Sequence, residues 1–169
     1  MHALLRLARL IDAITERVGK AASWLILLAV LISAGNALMR YAFNLSSNAW
    51  LEIQWYLFAA VFLLCAGYAL KHNQHVRIDV LANRLSRRAQ VRIEIFGTLF
   101  FLLPVALLIL VLSWPVFVDS WRSGEVSSNA NGLALWPARL LVPAGFALLV
   151  LQGLSELIKR VAFLRGRDG

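Results

Sequence analysis

The chain has 169 residues, 60% of them hydrophobic and only 15% charged, with a mean hydropathy of +0.72 and a net charge of +8. Soluble domains are about one quarter charged, so this composition excludes an ordinary soluble fold. The basic residues flank long apolar runs, which sets nucleic acid aside as a partner, and a single cysteine, Cys65, rules out a disulfide framework or a cysteine zinc site.

In chain order, the first element is the stretch "LLRLARLIDAITERVGK" within residues 1–20. Leu4, Leu7, Ile11, Ile14 and Val18 recur every three or four residues, and Arg6, Arg9, Glu16 and Arg17 fill much of the rest. This pattern predicts an amphipathic helix lying in the headgroup layer, the alternative being a charged loop. Four spans follow, at about residues 22–43, 50–70, 93–118 and 138–162. Each is long enough for a bilayer core of about 30 Å, which takes about 20 apolar residues. The first has a long charged leader, and cleavage near Ala37 would leave an odd number of spans, so it reads as a retained anchor. Between the second and third spans, "IDVLANRLSRRAQ" sets Ile78, Leu81 and Leu85 against Arg84, Arg87 and Arg88. It predicts a second interfacial helix, with these three arginines at lipid headgroups.

Of the seventeen Lys and Arg residues, all but Arg40, Arg122 and Arg139 fall in the two tails and the middle connection. The positive-inside bias then makes both termini and that connection cytoplasmic. The expected fold is an all-α membrane protein, one integral membrane domain over residues 1–169 with four transmembrane helices and two amphipathic interfacial helices. No internal repeat of useful length is visible, so the inverted-repeat signature of many carriers is missing.

The middle connection carries His72, His75 and Asp79 at helical spacing, three residues of the kind that ligate zinc. The glutamate of an H-E-x-x-H pattern is absent, however, and the stretch reads as the wet end of a span. No histidine lies inside a span to serve as a haem ligand. No catalytic residue, cofactor or metal is expected, and the chain is not read as an enzyme.

Polar residues within spans are costly and point to function or to helix packing. Ser33, Asn36 and Arg40 share a stripe near the outer end of the first span, and Glu52 and Gln54 open the second. The turn "NLSSNA" makes these spans antiparallel neighbours, bringing Arg40 within reach of Glu52. Two readings stand: a charged clamp for a partner or substrate, and an internal pair or a snorkelling arginine. At the other end Glu94 opens the third span, and Gly145, Leu149, Gln152 and Glu156 share a face of the fourth. That face suits helix packing, and Glu156 can equally pair with Lys159 or Arg160 on its own helix. The polar faces of the first and fourth spans are expected to need a partner for stability. Around the span centres, at Ala60, Leu63, Val105, Leu108 and Leu148, there is no acid or base, which argues against an ion-coupled carrier made of this chain alone. Six tryptophans lie mostly near span boundaries as an aromatic belt.

The pattern "NALMRYAF…WLE" (Asn36, Arg40, Tyr41, Phe43, Trp50, Glu52), then "HVRIDVL" (His75–Leu81) and "PAGFALLVLQ" (Pro143–Gln152), resembles the small permease subunit of tripartite ATP-independent periplasmic (TRAP) transporters, the DctQ-like family. The resemblance covers roughly residues 20–162. It departs at Ile53, where family members often carry a second acidic residue. It implies a non-catalytic subunit in the bacterial inner membrane that packs against the scaffold of a large multi-spanning permease subunit. It further implies sodium-coupled uptake of organic acids delivered by a periplasmic solute-binding protein, with membrane lipids as the remaining contact. The outer loop "GEVSSNANGLALWP" resembles members linked to monocarboxylate or 2-oxo acid uptake. Asn36, Arg40, Trp50, Glu52, Gln152 and Glu156 are the candidate subunit-interface or structural residues. The alternative is an autonomous four-span transporter acting as a homo-oligomer, which would use Glu52 or Glu156 as its membrane acid.

Overall fold

A computed structural model describes residues 2–45, 47–72, 85–129 and 132–166 of the chain. Its four helices are α1 (His2–Phe43), α2 (Asn48–Lys71), α3 (Arg87–Ser123) and α4 (Trp136–Leu164). All four are long and apolar enough to cross a membrane. At 1.5 Å per residue even α2 reaches about 36 Å, and α1 about 63 Å.

Local chemistry sets the helix ends. Ser86 caps α3 by accepting from the Ala89 N–H at 3.4 Å, and Gly124, in the left-handed region at φ 62°, stops it. Asn44, a residue type that tolerates this region, takes φ 54° just after α1. Inside α3 the turn Thr98–Leu102 widens into a π-helix in which the Leu103 N–H donates to the Thr98 carbonyl. The widening lies where Pro104 enters the helix, a residue that cannot donate and whose ring crowds the preceding turn.

Helix α4 is the hub: it packs against α1, α2 and α3, while α1 also lies along α2. Lipid is as apolar as leucine, so association here rests on close approach of small residues. Ala8, Ala22, Ala29, Ala60, Ala106 and Ala162 are all buried. A Cβ on Gly19 would fall 2.6 Å from the Tyr68 side chain, and one on Gly145 would fall 2.8 Å from the Leu63 carbonyl oxygen. The large side chains face outward instead, among them Trp24, Phe62, Phe101 and Val111. These contacts, with Lys71 reaching Asp12 and Arg160 reaching Glu94, gather the start of α1, the end of α2, the start of α3 and the end of α4 at one end of the bundle. We call it the tail end, and the opposite one the loop end.

The structure revises one expected element. Residues 2–20 do not form a separate surface helix; they are the first turns of a continuous α1. Their buried stripe is Ala8, Ile11, Thr15 and Gly19, while Leu4, Leu7 and Ile14 stay exposed. Docking between helices selects mostly small side chains, so apart from Ile11 the larger ones turn outward. Of the second expected interfacial helix, Ile78, Leu81 and Arg84 lie outside the described residues, as do His75 and Asp79. Leu85, Arg87 and Arg88 are exposed at the start of α3.

Gly145→Val should force α2 and α4 apart at a backbone contact and cost about 1–3 kcal/mol. Gly97→Ala, where an added Cβ meets nothing within 4 Å, should be neutral or slightly stabilising. Thermal scans of both variants in detergent check the contrast; equal losses would contradict it.

Candidate functional site

The polar residues collect into two constellations, one at each end of the bundle. At the tail end, α4 presents Gln152, Ser155 and Lys159 on one face, because residues three and four apart are neighbours on a helix. Asp12 of α1 meets all three. Its Oδ1 accepts from Gln152 Nε2 at 2.9 Å and Ser155 Oγ at 2.7 Å, and its Oδ2 from Lys159 Nζ at 3.0 Å. Ser155 Oγ also lies 3.2 Å from the Ala8 carbonyl oxygen. Glu156 accepts from Gln152 Nε2 and pairs with Lys159 and Arg160 on its own helix, at 2.5 and 3.6 Å. Arg160 crosses to α3, where its Nε donates to Glu94 at 2.9 Å and its Nη1 to Thr98 Oγ1 at 3.4 Å.

One turn after Asp12, Glu16 pairs with Lys20, Lys71 and His72, each at 2.8 Å. Lys71 Nζ also donates to the Asp12 carbonyl at 3.1 Å. Four carboxylates, Asp12, Glu16, Glu94 and Glu156, thus meet four cations, Lys20, Lys71, Lys159 and Arg160, drawn from all four helices. The side chains of Glu156 and Arg160 are the most withdrawn of these, at 9% and 11% exposed, and such groups need paired charges, while Lys20 stays largely in water.

At the loop end residues 125–129 and 132–135, after α3, pair as the two arms of a small hairpin. Val126 and Ala134 bridge antiparallel, Ser127 N–H donates to the Leu133 carbonyl, and Leu135 N–H to the Glu125 carbonyl, both at 2.9 Å. Gly132 is required here, since a Cβ would fall 2.4 Å from the Ser127 carbonyl oxygen. An Arg139–Glu125 ion pair and an edge-to-face contact of Trp121 with Trp136 close the hairpin base. The hairpin is pinned to the first turns of α2. Glu52 Oε1 accepts from Ser127 Oγ and from Asn129 Nδ2 at 2.6 Å, and its Oε2 accepts from the Leu133 N–H at 2.8 Å. One turn on, the Tyr56 hydroxyl donates to the Ala134 carbonyl at 3.2 Å.

Of the readings open for Arg40 and Glu52, this arrangement removes the internal pair. Glu52 is 4% exposed and belongs to the outer hairpin. Arg40 lies exposed, its guanidinium 5.4 Å from the Tyr41 ring centre, and among the described residues no ion pair joins it to a carboxylate. The polar face of α4 is not exposed either: Gln152 is 0% and Glu156 7% exposed, both covered within this chain. The local pairing of Glu156 with Lys159 and Arg160 is present, extended to α1. Asn36 is half-buried, and Trp50 is exposed beside Gly35. Asp12, Ser155, Ser127 and Asn129 were not among the expected residues. Asp12 was legible in one respect: it shares a face with Ala8, Thr15 and Gly19, the small-residue stripe of α1.

All five of these helix carboxylates are held by fixed donors, which makes them fasteners. A groove of about 510 Å³ opens beside α3, lined by Leu70, Phe101, Val105 and Phe146, with Glu94 and Arg160 at its end. That pair already binds itself. Among the described residues no group of three or more His, Cys, Asp and Glu is placed to hold a metal ion.

A family model described as "Tripartite ATP-independent periplasmic transporters, DctQ component" matches residues 29–163. The match includes Glu52, Gln152 and Glu156 and begins after Asp12 and Glu16. No curated protein and no solved structure matches the chain.

Glu52→Gln keeps the side-chain shape but removes the charge that three donors converge on. The hairpin arms, residues 125–129 and 132–135, should then part more often, giving several-fold faster proteolytic cleavage there with unchanged helicity. Limited proteolysis followed by mass spectrometry reads this out; an unchanged cleavage rate would contradict the pinning role.

Proposed function

Because the chain belongs to the DctQ component family of tripartite ATP-independent periplasmic transporters, we propose that it braces the large permease subunit of an organic-acid uptake system and does not itself carry solute. The observation supporting this reading is the occupancy of five of its helix acids; a sixth, Asp119, is exposed near the loop end of α3 and not at mid-depth. Asp12, Glu16, Glu52, Glu94 and Glu156 all sit toward the ends of the bundle and are all held by donors of the same chain. A carrier needs ionisable or unwound polar groups free at mid-depth. The same observation weighs against an autonomous homo-oligomeric transporter, whose membrane acid would have to be Glu52 or Glu156.

In this reading the sodium and solute sites belong to the large subunit, and a periplasmic solute-binding protein delivers the acid. The chain sits in the bacterial inner membrane with its tail end in the cytoplasm. Lys20, Lys71, Arg87, Arg88, Lys159 and Arg160 all collect at that end, as the positive-inside bias asks. The outward leucines of the first turns of α1, with Arg6, Arg9 and Arg17, and the exposed Arg87 and Arg88 then meet lipid headgroups. A carrier whose mobile part crosses the membrane needs a fixed part that resists moving with it, and four further helices with pinned ends enlarge that part.

The test is a mild-detergent pull-down of the tagged chain from its own membranes, with the co-purifying proteins identified by mass. A stoichiometric membrane protein of many spans is expected; recovery of the chain alone as a homo-oligomer would overturn the reading.

A further inference from the structure

The outer surfaces of the helices differ in kind. Along α3 the exposed face is large and apolar through the span, at Phe100, Phe101, Val105, Leu108, Val111 and Leu112, and charge appears on it only near the loop end, at Asp119 and Arg122. Such a face is what lipid tails accept. The outer half of α1 is also uncovered, but there Ser33, Ala37 and Arg40 are exposed. At 100° per residue these three lie within about 60° of one another and about 140–160° from Gly35. Gly35 is the residue that faces Trp50 of α2. The stripe therefore points away from that contact. It carries a hydroxyl and a guanidinium, neither of which suits lipid tails, and between them a methyl small enough to leave room for a neighbour. Small residues permit close approach of a second helix, and a charge at a membrane helix surface calls for an acceptor. The hairpin has already taken Glu52, the nearest acid on the neighbouring helix, so Arg40 has no carboxylate among the described residues.

We propose that this face of α1 seats a transmembrane helix of the large permease subunit, and that Arg40 binds a carboxylate on that helix. The inference rests on the bracing role proposed above and adds the face and the recognising charge. Charge complementarity favours this occupant: a lipid tail offers Arg40 nothing, a second copy packed α1 to α1 would set arginine against arginine, and a second copy presenting Asp119 of α3 is the outcome that crosslinking separates. Helix α3 is left to the bilayer.

The test uses the whole transporter in its membranes, with a benzoylphenylalanine photocrosslinker at Ser33 or Ala37 on α1 and, for comparison, at Val111 or Phe100 on α3. Adducts to the large subunit are expected from the α1 positions and none from α3. Adducts to the large subunit from α3 alone, or adducts from α1 only to another copy of this chain, would overturn the proposal. Arg40→Glu should lower the yield of the intact complex roughly tenfold or more while the chain keeps its own helicity, and Arg40→Lys should restore part of it. An unchanged yield for Arg40→Glu would refute the charge contact. The bracing role fails separately, if no large subunit co-purifies with the unmodified chain.

Discussion

The structure turns on the placement of the Asp12 carboxylate against α4. A charge among packed membrane helices must be met by donors, and Gln152, Ser155 and Lys159 meet this one from a single face. Once Asp12 is bound, the first turns of α1 cannot lie loose on a membrane surface. They run along α4, with Ala8 close to Ser155 and Gly19 against Tyr68. Glu16 is then carried to Lys71, which fastens the end of α2, and Glu156 and Arg160 extend the chain of charges to Glu94 on α3. Arg160 matters for α3, which packs against α4 rather than closing a ring of four.

The four spans were legible because apolar runs of twenty residues are unambiguous in this composition, and each predicted span falls inside an observed helix. The partner choices were not. Asp12 and Gln152 lie 140 residues apart, and nothing local marks the contact except the small residues that share Asp12's face. The leucine stripe of the first turns pointed to a surface helix, since periodicity gives the amphipathic axis but not which side is packed. For Glu52, the short turn joining its helix to that of Arg40 brings the two within reach and so offers an internal pair as one reading. Its partners come instead from a polar loop 75 to 81 residues later, whose Ser, Asn and Gly resemble any solvated connection. A carboxylate that finds three fixed donors has little left for a flexible arginine. The pairing of Glu156 was readable because it is local, at i+3 and i+4.

These fasteners also bear on function. An element that moves during transport draws on regions with few buried contacts and loosely held polar groups. Here both ends are pinned, by charge balance at one and by the Glu52 hairpin at the other, and the helix contacts between them depend on glycines and alanines that leave little slack. A rigid body with a wide apolar exterior suits a bracing part of a transporter better than a gate. Its membership of the DctQ family and the internal pairing of Asp12, Glu16, Glu52, Glu94 and Glu156 thus support the same reading from independent directions.

The most direct test of this account is a double-mutant cycle on Asp12→Asn and Lys159→Met, with unfolding in mixed micelles followed by circular dichroism. The expected result is a loss of about 2 kcal/mol for Asp12→Asn, and a coupling of about 1 kcal/mol or more between the two sites. Near-neutral single variants with additive effects would contradict it, because the first turns of α1 would then be held by something other than Asp12.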